Sequence, residues 1–152
     1  MIGEVGSGKP LVARAIHAGG RGRRHAGPFV KLPLGALAGM NPRRVREAIC
    51  GTGARPGPIE LAHGGTLFLD DVGRLPLELQ TMMIDLLDAG AEGTVPLADG
   101  TGNAAADIRL VAGAPDTLEQ DAARGTLRKD FYYRLRVLPI HLPPLRDRLT
   151  DL

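Results

Sequence analysis

Two short segments of the chain carry residue types that together can bind a phosphate chain and a divalent cation. The first is a glycine-rich run that ends in Gly8-Lys9, and the second is an apolar run that ends in Asp70-Asp71. Backbone N–H groups of a glycine-rich loop can curl around phosphates, and a lysine adds positive charge. Carboxylates at the end of a buried strand supply the oxygen ligands that Mg²⁺ prefers. The two segments together predict nucleotide chemistry.

The glycine-rich run satisfies most of the P-loop pattern, and we predict that it contacts the nucleotide. The predicted contacts are Gly3, Glu4, Val5, Gly6, Ser7, Gly8, Lys9 and Pro10. Lys9 is expected at the terminal phosphates. Pro10 stands where the general pattern has a Ser or Thr whose hydroxyl binds Mg²⁺. Proline is tolerated in the first turn of a helix but removes an N–H, so we expect weakened nucleotide binding.

The two adjacent carboxylates predict separate roles. In a P-loop fold, Asp70 at the strand end would hold magnesium, usually through water, and Asp71 would orient an attacking water. The order of loop, Asp-Asp strand and arginine-bearing helix is also that of oligomeric ATPases, in which arginines of one subunit reach the γ-phosphate in the next. Arg128 and Arg134 are the candidates for this role. The alternative is that both are ordinary surface arginines on a helix.

The elements that must position these residues alternate between strands and helices. Helical spacing runs from Lys9 to about His17, and only Met1-Ile2 precede the loop, so the first strand is nearly missing. Further helices are predicted at 42–49, 77–89, 116–124 (with Asp116 as the cap) and 127–135, and strands at 29–32, 66–69, 108–112 and 137–142. The stretch 91–106 is expected to form a hairpin or an exposed loop. This alternation predicts an α/β fold with a mainly parallel sheet.

Length and charge narrow the possibilities. A chain of 152 residues fits one domain, and 19 basic against 17 acidic residues leave a formal charge of +2, too small to argue for binding to nucleic acid or membrane by bulk charge. Cys50 is the only cysteine, which excludes an internal disulfide. No run approaches the roughly 20 apolar residues that span a bilayer. We expect a cytoplasmic protein.

The motifs are specific enough to name a family. GEVGSGK, ELAHGGTLFLDDVGRLPLELQ from Glu60 to Gln80, and LRKDFYYRLRVLPIHLPPLRDR from Leu127 to Arg148 resemble the central AAA+ domain of NtrC-type, sigma-54-dependent transcriptional activators. The resemblance covers nearly the whole chain, and the second and third stretches are more diagnostic than the first. It implies a P-loop NTPase three-layer sandwich.

The resemblance also implies a function and a role for each matching residue. Domains of this kind form a ring, bind ATP with magnesium between subunits, and use hydrolysis to remodel the closed complex of sigma-54 RNA polymerase. By matching position, Lys9 is the Walker A lysine, Asp70 the Walker B magnesium carboxylate and Asp71 the catalytic acid, while Arg128 and Arg134 are the arginine fingers. Binding to DNA would need a domain that this chain does not contain.

Four departures from the family pattern surround the phosphates. The acidic residue after the Walker B aspartate is usually glutamate, whereas Asp71 holds its carboxylate about one methylene further from the water, and a shift near 1 Å can cost on the order of 100-fold in rate. Pro33 replaces the asparagine that partners the catalytic glutamate. The Thr-Asn of the sensor I strand end falls on Ala114-Pro115, and Pro10 replaces a glutamate. The resemblance therefore implies slow hydrolysis, at most a weak ATPase.

Two further departures concern the loop that contacts sigma-54 and the length of the domain. The family's GAFTGA loop, which touches sigma-54, is absent, because Ala48 to Gly51 passes within a few residues to the segment aligned with Gly57 to Ala62. The chain stops at Asp151-Leu152, where the helical lid would begin. We therefore interpret residues 1–152 as an AAA+ core truncated at both ends.

The leading hypothesis is an ATP-binding AAA+ domain of a bacterial transcriptional regulator with weak or impaired hydrolysis. One alternative is a regulator that acts without sigma-54. Another is a non-catalytic interaction module that keeps the ring interface. The third is a decayed fragment without independent function.

Overall fold

The computed structural model describes the backbone of residues 1–147 and their side chains except that of Arg23. Three parallel strands form the central sheet in the order β1 (Phe29–Pro33), β4 (Thr66–Asp70), β7 (Arg109–Gly113). Two small antiparallel pairs lie outside it: β2 (Gly51–Thr52) with β3 (Arg55–Pro56), and β5 (Thr94–Pro96) with β6 (Asn103–Ala105). The α/β fold and the parallel sheet are confirmed.

Six helices among the described residues connect and cover these strands. They are α1 (Lys9–Ala18), α2 (Pro42–Cys50), α3 (Pro58–Leu61), α4 (Leu77–Ala89), α5 (Leu118–Arg124) and α6 (Lys129–Leu135). Asn41 caps α2, because its side chain accepts a hydrogen bond from the Arg44 N–H. None of the helices in the described part of the chain is long and apolar enough to cross a membrane.

Strand β4 lies between the other two strands, and its apolar residues Leu67, Phe68 and Leu69 cover both of its faces. Thr66 to Leu69 are all buried, as expected for a parallel strand covered on both sides. Pro33 of β1 and Gly113 of β7 both pair with Asp70 in the register. The three strands therefore end together at one edge, where Asp70 lies.

The predicted strand at 137–142 is wrong. Ile2 instead forms single parallel bridges to Ala114 on one side and to His141 on the other. The Ile2 N–H donates to the Ile140 carbonyl, and the Leu142 N–H donates to the Ile2 carbonyl. In the described part of the chain the pairing along 137–142 is limited to the bridge at His141, so no ladder forms there.

Two helix starts also differ from prediction. Helix α5 begins at Leu118 after Thr117, and no side chain caps it, so Asp116 is not the cap. Helix α6 begins at Lys129 rather than Leu127, because the backbone of Arg128 is extended. The hairpin expected within 91–106 is confirmed by β5 and β6. The expectation about the chain end at Asp151-Leu152 lies outside the described residues.

The short first segment is held by the sheet. The Met1 ammonium donates to the Ala112 carbonyl at 2.6 Å. Its pKa lies below 8.0, because burial removes water from the charged form and Lys9 adds a like charge. Met1 therefore anchors the start of the glycine-rich loop against β7.

Candidate functional site

A cleft of about 850 Å³ opens at the carboxyl edge of the sheet, between the glycine-rich loop and the ends of β1, β4 and β7. Five of the predicted nucleotide contacts line it together with both predicted carboxylates: Val5, Gly6, Gly8, Lys9, Pro10, Asp70 and Asp71. Gly3 and Ser7 are buried beneath the loop, and Glu4 is exposed outside the cleft lining. The fold thus brings the two motifs of the sequence to one cavity.

The loop has the backbone geometry of an anion site. Gly6 and Gly8 have φ angles of 84° and 81°, which favour glycine, and Gly8 directly precedes α1. Among the described residues, the N–H groups of Gly6, Gly8 and Lys9 donate to no other backbone group. The positive end of the α1 dipole points to the same place. Pro10 lies in the first turn, as predicted, and contributes no N–H.

Lys9 is buried with its ammonium beneath the loop. Its Nζ donates to the carbonyls of Gly3 and Glu4, both at 2.7 Å. An ammonium has three N–H donors, so one remains for a phosphate oxygen. Lys9 therefore braces the loop and supplies charge to the cleft.

The Glu4 side chain is paired with a residue far along the chain. Arg146 donates to its two carboxylate oxygens at 2.7 and 3.0 Å. The hydrogen bond from Arg146 lowers the pKa of Glu4, and the same pair raises the pKa of Arg146. This contact links the glycine-rich loop to the segment after residue 142.

Asp70 does not stand alone at the end of β4. Lys31 of the neighbouring strand lies with its Nζ 2.9 Å from Asp70 Oδ2. The Asp70 side chain is 26% exposed, so the carboxylate remains open to the cleft. One oxygen of the predicted magnesium carboxylate is thus engaged by an ammonium.

Asp71 is held in an unusual backbone conformation. Its φ of 66° is the one positive value among the described residues other than glycine. Arg74 donates from Nε to Asp71 Oδ2 at 2.6 Å and itself lines the cleft. Strain of this kind is found at functional sites and persists where the surroundings impose it. The carboxylate predicted to orient water is therefore bound by an arginine.

Three prolines line the same cleft: Pro10, Pro33 and Pro115. Proline offers neither a side-chain donor nor an N–H. The positions that the sequence marked as departures thus lie around one cavity.

The two predicted arginine fingers are not among the residues that line the cleft. Arg128 donates to both oxygens of Asp130 at 3.0 and 2.8 Å, and this contact raises its pKa. Arg134 pairs with Asp88 at 2.6 Å. Both guanidinium groups are partly exposed.

Buried Gln80 fixes the segment that carries Arg128. Its amide nitrogen donates to the carbonyls of Leu75 and Thr126 at 2.7 and 3.2 Å, and its amide oxygen accepts from the Arg128 N–H at 2.8 Å. A buried amide with every partner in place holds these three backbone points together.

We expect Gln80→Ala to lower the free energy of unfolding by about 2 to 4 kcal/mol, because a fully buried side chain is removed and three backbone groups, of which the Leu75 carbonyl is buried, lose their partner. Urea denaturation measures this change. Gln120→Ala, at an exposed glutamine of α5, is the matched control and should change stability by less than about 0.5 kcal/mol. Equal stability of the two variants would contradict a structural role for Gln80.

Sequence reasoning missed three charged partners of the predicted site: Lys31, Arg74 and Arg146. Arg74 lies three residues from Asp71, so its spacing was a readable signal. Lys31 follows from the pairing of β1 with β4. No local sequence pattern indicated that Arg146 contacts Glu4.

Comparisons with known proteins agree with this geometry. The family model described as the Sigma-54 interaction domain matches residues 1–141. The chain is 41% identical over 162 residues to the DNA-binding transcriptional regulator NtrC of Rhizobium meliloti (strain 1021), covering 100% of this chain and 32% of that protein. It therefore spans about a third of the length of this relative.

Solved structures give the same result. NtrX from Brucella abortus, crystallised in complex with ADP, superposes with a TM-score of 0.84 at 36% identity, covering 99% of this chain and 32% of that one. Its complex with ATP gives 0.80. The P-loop NTPase domain of an E. coli sigma-54 activator gives 0.56 at 25% identity, covering 95% of this chain and 81% of that one. This chain has the P-loop NTPase fold and belongs to the sigma-54 interaction domain family.

Proposed function

We propose that the chain binds ATP with Mg²⁺ in this cleft, as the AAA+ domain of a cytoplasmic bacterial transcriptional regulator that turns ATP over slowly. The observation that carries the proposal is the meeting in one cavity of Lys9, Asp70 and the N–H groups of Gly6, Gly8 and Lys9, which donate to no backbone acceptor in the described part of the chain. The ADP and ATP complexes of the related NtrX support it. Predicted contacts that lie beside the cleft, Gly3, Glu4 and Ser7, would shape the loop.

The donor set of the cleft fits magnesium. Mg²⁺ is commonly held by one or two carboxylates together with substrate phosphates and water, and Asp70 offers a carboxylate at the cleft wall. No cluster of three or more metal-ligating side chains occurs in the described part of the chain, which agrees with a cation held mainly by the nucleotide. Bound magnesium would neutralise charge on the phosphates during transfer.

We attribute slow turnover to the residues around the phosphates. Asp71 is short and paired with Arg74, so its carboxylate is poorly placed to orient water. Pro33 and Pro115 offer no side-chain hydrogen bond to the γ-phosphate or to its water. Binding needs the loop and Lys9, which are in place, whereas hydrolysis needs groups that are replaced.

The first test removes the magnesium carboxylate. Asp70→Asn is expected to reduce the enhancement of ATP affinity by Mg²⁺ by about tenfold or more, because an amide carries no charge for the cation. Fluorescent ATP titrations with and without Mg²⁺ measure it. Glu119→Gln, at an exposed carboxylate of α5 outside the cleft lining, should leave the enhancement unchanged. If Mg²⁺ enhanced the ATP affinity of Asp70→Asn as much as that of the original chain, Asp70 would not be a magnesium ligand.

We further propose that copies of the chain assemble into a ring with ATP between subunits. Arg128 and Arg134 stand outside their own cleft and partly exposed, as expected of groups that act on a neighbouring subunit. By family membership the partner of such a ring is the sigma-54 RNA polymerase, and DNA would be contacted through another domain.

Assembly should depend on nucleotide. We expect light scattering to report oligomers at saturating ATP, and Arg128→Ala with Arg134→Ala to reduce any hydrolysis without reducing ATP affinity by more than about twofold. A chain that stays monomeric at saturating ATP would contradict the ring.

A second candidate function is regulation without sigma-54 contact, by a ring that assembles but does not cycle nucleotide. The observation that favours it is the tight hairpin of β2 and β3, in which Thr52 pairs with Arg55 across two residues, where relatives carry the GAFTGA loop. ATP-dependent assembly without turnover would support this function. A decayed fragment would instead show no cooperative thermal unfolding.

A further inference from the structure

The pairing of Lys31 with Asp70 places a cation on the carboxylate that the proposed function assigns to magnesium. The Lys31 ammonium reaches Asp70 Oδ2 from the neighbouring strand, and Lys31 is on β1 one residue before buried Leu32. The Lys31 side chain is 38% exposed and that of Asp70 is 26% exposed, so the pair lies outside the core. Asp70 lines the cleft, and Lys31 contacts it from just outside the cleft lining.

We propose that Lys31 sets the magnesium requirement of nucleotide binding by competing with the divalent cation for Asp70. This inference rests on the proposed ATP site. An ammonium 2.9 Å from the carboxylate neutralises it and repels a second cation placed beside it. Magnesium must therefore share or displace the ammonium before it can use both oxygens of Asp70.

The pairing of Lys31 with Asp70 has the opposite effect on ATP without magnesium, whose binding it favours. Without Lys31, Asp70 would present an uncompensated negative charge near the phosphates that Lys9 is placed to hold. With Lys31 present, the pair is close to neutral, and metal-free ATP meets less repulsion. Lys31 thus reduces the difference in affinity between metal-free and magnesium-bound ATP, because it strengthens the binding of the first and weakens the binding of the second.

The variant that tests this is Lys31→Met, which keeps the length of the side chain and removes its charge. We expect metal-free ATP to bind about threefold to tenfold more weakly, and the magnesium concentration that gives half-maximal enhancement to fall by about tenfold. Fluorescent ATP titrations at fixed Mg²⁺ concentrations measure both quantities. Lys31→Arg, which keeps the charge, should stay within about twofold of the original chain.

Two controls separate this role from a structural one. Lys129→Met makes the same charge change at an exposed lysine outside the cleft lining and should alter neither quantity. In an Asp70→Asn background, Lys31→Met should lose most of its effect, because the two side chains act through one contact. Thermal unfolding verifies that each variant folds.

The possible results separate a failure of the proposed role of Lys31 from a failure of the proposed ATP site. If the original chain binds ATP and Lys31→Met leaves the magnesium dependence unchanged, the inference is wrong and the site stands. If the effect of Lys31→Met persists in full with Asp70→Asn, competition for Asp70 is likewise wrong. If the folded original chain binds no ATP at any magnesium concentration, both the inference and the proposed function fall.

Discussion

Lys9→Ala should lower the affinity of the chain for ATP by about 100-fold. A hydrogen bond between charged groups contributes about 1.5 to 3 kcal/mol, and a loss near 2.7 kcal/mol corresponds to that factor. Lys9 also braces the loop through the carbonyls of Gly3 and Glu4, so its removal loosens the backbone N–H groups that complete the anion site. Calorimetric titration with Mg²⁺ and ATP measures the change.

The loss must be separated from misfolding, because Lys9 is buried. Lys9→Met preserves most of the volume and should lose affinity to a similar extent while keeping a cooperative thermal transition. Lys129→Met serves again as the matched control at an exposed lysine. Affinity within threefold of the original chain in a folded Lys9→Met protein would show that the phosphates lie elsewhere.

The second large effect concerns turnover. Asp71→Glu should raise the rate of ATP hydrolysis by about 10- to 100-fold, because the added methylene moves the carboxylate by about 1 Å toward the water it should orient. The ATP affinity should change by less than about threefold. Single-turnover hydrolysis with enzyme in excess measures the rate without product release.

Two features of Asp71 shape this experiment. Its positive φ is tolerated better by aspartate than by glutamate, so Asp71→Glu is expected to lose up to about 1 kcal/mol of stability. Arg74 can follow the longer side chain, so we expect Asp71→Glu alone to give the lower end of the expected range of rates and Asp71→Glu combined with Arg74→Gln to give the upper end. Asp116→Glu, at an exposed aspartate outside the cleft lining, is the matched control. An unchanged rate of hydrolysis in the double variant would contradict a limiting role for Asp71 and would leave Pro33 and Pro115 as the cause of slow turnover.

The parts of the fold that could be predicted depend on short-range patterns. The glycine-rich loop, α4 and β4 follow from glycine spacing, a helical apolar stripe and a continuous apolar run. The meeting of Lys9 with Asp70 was also predictable, because strands of a parallel sheet end at a common edge.

The rest depends on contacts that local patterns do not contain. The stretch from Val137 to Leu142 is apolar enough for a strand, yet a strand also needs backbone partners, and in the described part of the chain this stretch forms one bridge, between His141 and Ile2. The Glu4 and Arg146 side chains are 142 residues apart in sequence. Lys31 pairs with Phe68 in the register, and its long side chain reaches Asp70 two residues further along β4, a contact that no local pattern contains.

The central claim is that this cleft holds ATP better than it turns ATP over. One preparation of the chain with Mg²⁺ tests it, by titration for affinity and by single-turnover hydrolysis for rate. We predict saturable binding that is lost in Lys9→Ala, together with a hydrolysis rate well below the roughly 1 per second at the low end of typical enzymes. Hydrolysis faster than about 1 per second, or a folded chain with no saturable binding, would contradict this account.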